Sequence, residues 1–188
     1  MILSPAKLNL SLSIKSRLNN GYHSISSYVV FLDLYDKIFI KKSASDKIKI
    51  LGPFKGFLEN NGGDTLIKKT LSICRNNQLI DNNFEIILEK NIPISGGLGG
   101  GSANSASIIR YFCNYKEKKL DKNILNFSKY LGADVPACIF SRPLLMEGIG
   151  DKIHFIQMEK DLDVGVVLIN PKIQLSTKKV FENLKIKN

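Results

Sequence analysis

The sequence is poor in the residues that build metal sites and disulfide frameworks. It has no tryptophan, two histidines and three cysteines, namely Cys74, Cys113 and Cys138. An odd number of cysteines at long spacings, with no Cys-x-x-Cys pair and no histidine nearby, gives neither a disulfide set nor a zinc motif. We therefore expect three reduced thiols in a hydrophobic core.

Long apolar runs are also missing. No window approaches the roughly 20 apolar residues that cross a bilayer, and the N-terminus lacks the basic and then apolar pattern of a secretory signal. We therefore expect a cytoplasmic chain with no membrane partner. A hydrophobic content of 44% over 188 residues suffices for one substantial core, or for one core and a small second piece.

Acidic residues are outnumbered by basic ones. The chain has 17 Asp and Glu against 27 Lys and Arg, for a formal net charge of +10. A basic face could neutralise the phosphates of a nucleic acid, but these lysines are scattered, and the aromatic RNP signature of RNA-binding domains is absent. We favour solvated lysines, expect no nucleic-acid partner, and note that a basic surface also attracts small phosphorylated ligands.

Glycine, by contrast, is concentrated at one place. Five glycines lie between Gly96 and Gly101, after the apolar run Phe84–Leu88, which predicts a strand, and before Ser102–Arg110, which predicts a helix. Glycine lets the backbone adopt positive φ and lets a ligand approach bare N–H groups. A helix N-terminus adds a favourable dipole for anions. The stretch therefore predicts a phosphate-binding loop.

The common phosphate motifs do not fit this loop. Ser102 and Ala103 stand where the P-loop requires Lys and then Ser or Thr. The dinucleotide fingerprint begins at Gly97 and Gly99, but its third glycine would fall at Ser102. A flexible glycine linker is the remaining alternative, and it is disfavoured because a strand and a helix, rather than Ser- or Pro-rich coil, flank the cluster.

The whole stretch from Pro93 to Ala106 closely resembles the glycine loop of the GHMP kinases, the superfamily of galactokinase, homoserine kinase, mevalonate kinase and phosphomevalonate kinase. Further stretches narrow the resemblance to the kinases of 4-diphosphocytidyl-2-C-methyl-D-erythritol in non-mevalonate isoprenoid biosynthesis. In chain order they are Ser4–Leu10, the turn at residues 20–24, and Leu131–Pro136.

The resemblance extends from Ser4 to about Phe181 and implies an α+β fold. Residues 1–160 would form a GHMP kinase N-terminal domain, similar to a ribosomal protein domain. Residues 161–188 would begin a ferredoxin-like C-terminal domain, whose own glycine motif is not found in this sequence. We therefore expect either a fragment of a longer gene product or a protein that works differently.

The resemblance also implies cofactors and residue roles. It implies ATP and Mg²⁺, with Lys7 and Asp134 as catalytic residues and Ser102 as a Mg²⁺ ligand. The implied nucleotide-binding residues are Lys90, Pro93, Gly96, Gly97, Leu98, Gly99, Gly100, Gly101, Ser102, Ala103 and Asn104. The implied substrate-binding residues are Asn9, Tyr22 and His23, with Tyr22 stacking on cytosine, His23 hydrogen-bonding its edge, and Phe181 closing the sandwich.

The first half of the chain alternates in ways that predict strands. Leu8, Leu10, Leu12 and Ile14 alternate with polar residues and predict a strand over residues 7–14 whose leucine face meets the core. On its other face Lys7 and Asn9 would lie about 7 Å apart. A β-meander is predicted at Tyr28–Leu34, Lys37–Ile40 and Lys47–Leu51.

Capping residues predict the helices. Asp64 or Thr65 should cap a helix that runs to Asn76, and Asp121 should cap one that runs to Leu131 and ends at Gly132. Pro136 should hold Val135 extended.

Near the C-terminus we predict a strand at Val164–Ile169 and a helix at 176–187. An unpaired final strand exposes a sheet edge, so poor solubility or a homodimer is expected.

Three functions remain open from the sequence. The first is the cytidyl-specific kinase, favoured by Tyr22, His23 and Phe181. The second is a GHMP kinase for another small alcohol, which would share the loop without needing the Tyr-His pair. The third is a noncatalytic nucleic-acid module, since the chain is basic and the fold resembles a ribosomal protein domain.

Overall fold

A computed structural model describes residues 1–19, 21–59, 64–157, 164–170 and 180. Over these residues the chain forms a mixed sheet with helices packed against it, as the α+β prediction required. In chain order the elements are β1 (Ile2–Arg17), β2 (His23–Ser43), β3 (Lys47–Leu51), α1 (Lys55–Glu59), α2 (Thr65–Asn76), β4 (Asn83–Glu89), α3 (Gly100–Tyr115), α4 (Lys122–Ser128), α5 (Val135–Phe140), β5 (Leu144–Gly148) and β6 (Lys152–Phe155).

The long strand β2 organises the sheet. Antiparallel β1 pairs along most of one side of β2. On the other side, β4 pairs with residues 37–43 of β2 and β5 pairs with residues 25–29, both antiparallel. At the edges, β3 joins β4 in parallel and β6 joins β5. The predicted meander is therefore wrong, because residues 28–40 form one continuous strand and β3 pairs with β4 instead of β2.

The core lies between this sheet and helices α2 to α5. Phe84, Ile86 and Leu88 alternate along β4 and point to the helices, and the ring of Phe84 lies 4.8 Å from that of Phe112 on α3. Ile67 and Leu71 supply the buried face of α2. Burying such large side chains contributes roughly 1.5 to 3 kcal/mol each, so this layer holds the fold together.

The three cysteines are free and buried, as predicted. Burial raises the pKa of Cys74 and of Cys138 to about 12. Both thiols therefore stay protonated and unreactive at neutral pH, because the thiolate is the nucleophilic and metal-binding form.

The predicted orientation of β1 is wrong. Leu10 and Leu12 are 56% and 46% exposed, whereas Ala6 and Lys7 are buried. Three register shifts break the alternation, between Pro5 and Lys7, between Asn9 and Ser11, and between Ile14 and Ser16. The face that carries Lys7 is buried because the loop before α3 covers it, and the backbone N–H of Lys7 donates to the carbonyl oxygen of Leu98 over 2.8 Å.

Two of the predicted helix caps are confirmed. The side chain of Asp64 accepts from the first backbone N–H groups of α2, and Asp121 does the same for α4. Helix α4 ends at Ser128, three residues before the predicted end. Val135 is helical rather than extended, since Pro136 lies in the first turn of α5, where a missing N–H costs no intrahelical bond.

The C-terminal predictions fare differently. Residues 164–170 form neither helix nor strand, so the strand predicted at 164–169 is wrong. No strand in the described ranges pairs with this segment, and an extended chain without a ladder partner gains no sheet hydrogen bonds. Of the helix predicted at 176–187, the structure describes only residue 180, which is helical. Phe181 and the domain boundary near residue 160 lie outside the described residues. Among the described helices, none is long and apolar enough to cross a membrane.

Gly52, which follows β3, offers a stability test of this fold. It has a φ of +93°, and a Cβ there would lie 2.6 Å from the carbonyl oxygen of Lys90. We expect Gly52→Ala to lower the free energy of unfolding by about 2 to 4 kcal/mol, through backbone strain and overlap with a backbone that cannot move aside. Urea denaturation measures the change.

Gly56 is the matched control for that substitution. It lies in α1, where a Cβ would meet nothing within 4 Å. Gly56→Ala should therefore be neutral or stabilise by up to about 1 kcal/mol, since alanine favours helix. Equal unfolding energies for the two variants would contradict the described approach of Gly52 to Lys90.

Candidate active site

The glycine loop lies between β4 and α3, and its backbone is arranged for an anion. Gly97 and Gly99 have φ values of +73° and +60°. Gly99 is the N-cap of α3 and supplies no side-chain hydrogen bond. The first N–H groups of a helix have no intrahelical acceptor. Because Gly99 has no side chain to cap them, these N–H groups remain available to a phosphate.

Space around the loop explains why glycine is needed at particular positions. A Cβ on Gly99 would come within 3.2 Å of the Cβ of Lys7, and one on Gly100 within 2.9 Å of the Nζ of Lys90. A Cβ on Gly97, in contrast, would meet nothing within 4 Å. The loop is therefore packed tightly on the sheet side and open at Gly97, where a ligand can approach.

Lys7 and Asp134 meet beside this loop. The Nζ of Lys7 lies 2.9 Å from the Oδ2 of Asp134, and the side chains are 3% and 32% exposed. Strand β1 supplies the lysine, and the turn before α5 supplies the carboxylate. A charge-assisted hydrogen bond of this length fixes the carboxylate in place while about a third of it remains accessible to a reactant.

Asn9 lies next to this pair and has a defined orientation. Its Oδ1 lies 3.2 Å from the Nζ of Lys7. An ammonium group can only donate, so the amide oxygen must face Lys7 and the amide nitrogen is left to donate elsewhere. The hydroxyl of Ser27 lies 3.2 Å from the same oxygen. Ser27 carries no sequence signal, because only the pairing of β1 with β2 brings it to Asn9.

Ser102 joins the loop to the segment that carries Asp134. A Cβ on Gly132 would lie 3.5 Å from the Oγ of Ser102, so the serine faces the turn that precedes Asp134. Within the described ranges, no group of three His, Cys, Asp or Glu side chains could hold a metal ion. A Mg²⁺ ion here would therefore have to rely on one or two protein oxygens, such as that of Ser102, and on nucleotide phosphates, which is its usual coordination.

Lys90 and Asn104, both predicted to bind the nucleotide, contact a buried carboxylate, that of Asp36. The ammonium of Lys90 pairs with Asp36, and the Nδ2 of Asn104 donates to the same carboxylate over 2.9 Å. Burial lowers the pKa of Lys90, and the charge of Asp36 opposes that shift. Asp36 was missed as a site residue because an acidic residue inside an apolar stretch is typical of a break between strands.

The remaining predicted loop residues occupy two environments. Leu98 is 5% exposed and joins a small cluster with Ala6 and Ile92, so only its backbone can serve a ligand. Ala103 is buried against the core. Pro93 lies beside Gly96. A Cβ placed on Gly96 would lie 3.7 Å from the Nδ2 of Asn170. The approach of Asn170 had no sequence signal, since this residue only follows the segment predicted to be a strand.

Tyr22 and His23 lie at the far end of the β1–β2 ribbon. The turn that precedes them is closed by a hydrogen bond from the backbone of Leu18 to the carbonyl of Tyr22, with Gly21 at a φ of +82°. Tyr22 is 60% exposed, and His23 pairs with Arg17 at the end of the ladder. Lys7 and Asn9 lie on β1, farther along the β1–β2 ribbon, so a ligand that contacts both groups must be elongated.

Comparison with known proteins agrees with this arrangement. Residues 65–142, which include the whole glycine loop and Asp134, match the family model described as GHMP kinases N terminal domain. The chain carries a GHMP kinase N-terminal domain. This finding confirms the predicted fold class and explains why the loop resembles neither the P-loop nor the dinucleotide fingerprint.

Relatives of this GHMP kinase domain carry a more specific name. The chain is 33% identical over 183 residues to the 4-diphosphocytidyl-2-C-methyl-D-erythritol kinase of Chelativorans sp., and 34% identical over 186 residues to that of Clostridioides difficile. These matches cover 97% and 98% of the chain. The chain spans 62% of the length of each relative.

A solved structure of an enzyme with that name is also similar to this domain. The crystal structure of a 4-(cytidine 5'-diphospho)-2C-methyl-D-erythritol kinase superposes on this domain with a TM-score of 0.64 at 27% identity. The superposition covers 82% of this chain and 54% of that protein. The GHMP kinase domain therefore shares, over its described residues, the architecture of about half of that enzyme.

Proposed function

We propose that the chain takes part in the ATP-dependent phosphorylation of the C2 hydroxyl of 4-diphosphocytidyl-2-C-methyl-D-erythritol, in isoprenoid precursor synthesis. The observation that carries the proposal is the Lys7–Asp134 pair, with its 2.9 Å separation beside the glycine loop. The similarity to enzymes of that name over 97% of the chain supports the choice of substrate.

The loop and α3 supply the nucleotide site in this proposal. The backbone N–H groups from Gly97 to Ser102 donate to phosphate oxygens, and the helix dipole favours the same negative charge. When bound, ATP would supply the γ-phosphoryl group, and Mg²⁺ would neutralise the negative charge of the phosphates during the transfer. The hydroxyl of Ser102, which faces the turn before Asp134, would bind the metal or a phosphate.

Asp134 and Lys7 act on the acceptor. Asp134 accepts the proton of the attacking hydroxyl, and positioned proton transfer of this kind contributes about 10² to 10⁴ in rate. Lys7 holds the carboxylate and stabilises negative charge on the acceptor oxygen as the proton leaves. The amide nitrogen of Asn9 donates to the substrate and orients it, because its oxygen is committed to Lys7.

The distance between the two ends of the β1–β2 ribbon favours an extended substrate. Tyr22 and His23 recognise an aromatic base at one end, and the reacting alcohol lies at Asn9 and Lys7. A cytidine diphosphate ester of a branched tetritol has both features, joined by a flexible pyrophosphate. Phe181, which lies outside the described residues, remains a prediction as the second face of the base site.

His23 distinguishes this substrate from a smaller alcohol. We expect His23→Ala to weaken the affinity for the cytidyl substrate by about tenfold, because removing one partner of a buried hydrogen bond costs roughly 1 to 3 kcal/mol. Affinity for ATP should not change. Isothermal titration calorimetry with each ligand measures both quantities.

His154 offers the matched control. It lies on β6, where its Nε2 is 3.3 Å from Glu147 and its side chain is 59% exposed. His154→Ala should leave both affinities as they are. Equal affinity of wild type and His23→Ala for the cytidyl substrate would instead favour a GHMP kinase for another small alcohol.

Ligand-induced stabilisation tests the proposal as a whole. Anything that binds only the folded state raises its melting temperature, so both ATP with Mg²⁺ and the cytidyl substrate should do so. A folded sample that either ligand fails to stabilise would contradict the proposal. Salt-sensitive RNA binding by that sample would then favour the nucleic-acid module.

The setting of this reaction is also proposed. We expect the chain to act in the cytoplasm without a nucleic-acid partner, and to associate as a homodimer. Val167 and Ile169 are 86% and 91% exposed, and contiguous exposed apolar surface is typical of interaction sites. The support for a dimer is therefore this apolar segment rather than the strand edge predicted from the sequence.

A further inference from the structure

A carboxylate lies fully buried beneath the glycine loop. Asp36 belongs to β2 and its exposure is 0%. Its Oδ1 accepts from the backbone N–H groups of Asn91 and Ile92, over 2.7 and 2.8 Å. Its Oδ2 accepts from the Nδ2 of Asn104 over 2.9 Å and pairs with the ammonium of Lys90. Four donors therefore converge on one side chain.

The origin of these donors is the informative feature. Three of them come from residues 90–92, which lead into the loop, and the fourth comes from Asn104, in α3 after the loop. The carboxylate thus ties together the two ends of the segment that runs from Pro93 to Gly99. If Asp36 only stabilised the sheet, the donors to its carboxylate would not all be expected to come from the two segments that flank this loop.

The loop responds to this tie because the fit above it is tight. The Nζ of Lys90 lies where a Cβ of Gly100 would approach to 2.9 Å, so the pair directly supports the first turn of α3. A buried lysine that lost its partner would be an uncompensated charge, which is strongly unfavourable. Moving it toward water would push against Gly100 and displace the amides above.

Only a carboxylate satisfies all four donors. It presents two acceptor oxygens, whereas an asparagine presents one oxygen and an NH₂ group. Asparagine at position 36 could keep the bonds from Asn91 and Ile92, but its NH₂ would then face the donors of Lys90 and Asn104. The Asp36→Asn substitution therefore preserves shape and removes the connection to α3.

We propose that Asp36 is a positioning residue for phosphate binding, which holds the glycine loop and the start of α3 in the conformation that accepts a nucleoside triphosphate. Asp36 touches neither the Lys7–Asp134 pair nor the open side of the loop, so it acts through the backbone that it anchors. The expected effect on ATP binding rests on the function proposed above, whereas the expected effect on the order of the loop does not.

The test compares Asp36→Asn with Asp33→Asn in the full chain. Asp33 lies on the same strand but is exposed, where it accepts from the hydroxyl of Tyr35. ATP affinity is measured by calorimetry, and backbone order by hydrogen exchange of peptides that cover residues 91–101 and helix α4. The first peptide reports the loop, and α4 reports a region remote from it.

We expect Asp36→Asn to weaken ATP binding by about 10- to 100-fold, because displaced amides lose charge-assisted hydrogen bonds to the phosphates. Exchange should accelerate in residues 91–101 and not in α4, and Asp33→Asn should change neither. Faster exchange spread equally over both peptides would show a merely structural role and overturn the proposal. Unchanged affinity and exchange in Asp36→Asn would overturn it as well.

The role of Asp36 can still be tested if the wild type does not bind ATP or if Asp36→Asn does not fold. If wild type does not bind ATP, the proposed function fails and the exchange of residues 91–101 alone decides the role of Asp36. If Asp36→Asn does not fold, the double variant Asp36→Asn with Lys90→Met removes the uncompensated charge and takes its place. It should fold with fast loop exchange, and slow loop exchange in this double variant would overturn the proposal.

Discussion

Asp134→Asn is expected to lower kcat by about 10² to 10⁴, the contribution typical of a positioned general base. An amide has no useful basicity, but its oxygen can still accept the hydrogen bond from Lys7, so the buried lysine is not left without a partner. ATP affinity should therefore stay unchanged. Steady-state kinetics with the cytidyl substrate, together with nucleotide titration, separate the two effects.

Asp81→Asn controls for the chemical change. Asp81 pairs with Lys116 over 3.3 Å and its side chain is 71% exposed, so losing its charge should alter neither kcat nor ATP affinity. An Asp134→Asn variant that turns over as fast as Asp81→Asn would remove Asp134 from the role of base. Another group near Lys7 would then have to accept the proton.

Lys7→Met should lower kcat by about 10² to 10³, the range seen when one preorganised donor to a developing oxyanion is removed. Methionine keeps an unbranched chain to pack beneath Gly99, and Asp134 is 32% exposed, so water can solvate the carboxylate left behind. Lys7→Arg should not restore the rate, because the loop approaches the Lys7 side chain too closely for a wider head group.

Lys37→Met is the matched control for Lys7. Lys37 also lies on the sheet and pairs with a carboxylate, that of Glu89, over 3.0 Å, but its side chain is 41% exposed. Exposed ion pairs contribute little to stability, so activity should survive. Full activity in Lys7→Met would show that the lysine only fills space at this position, whereas activity restored by arginine would show that any cation suffices there.

Local signals in the sequence were sufficient for the elements around the loop. The glycine cluster, the apolar run before it and the small residues after it predicted β4, the loop and α3 in order. The caps at Asp64 and Asp121 were predicted because a side-chain oxygen that bonds the first helical amides is a local interaction. None of these depends on which elements meet in space.

What the sequence could not predict depends on long-range pairing. Lys7 and Asp134 are 127 positions apart, and only the family resemblance suggested that they act together. The face of β1 was assigned wrongly because alternation shows that two faces differ without showing which one the loop covers. Three register shifts in β1 then break the alternation itself.

Asp36 shows the same limit in its clearest form. A charged residue within an apolar stretch predicts a strand end, because burying an unpaired charge is very costly. The structure instead gives that charge four donors from segments more than 50 positions away. The continuous strand β2 and the inward direction of Lys90 both follow from that one buried cluster.

The most direct test of the central claim is phosphoryl transfer itself, followed by phosphorus NMR. The chain is incubated with Mg²⁺, ATP and 4-diphosphocytidyl-2-C-methyl-D-erythritol, beside the Asp134→Asn variant under the same conditions. We expect a new phosphomonoester resonance to grow with the wild-type chain and not with the variant. A folded wild-type chain that binds both ligands and forms no phosphomonoester, or a variant that forms it equally fast, would contradict the account.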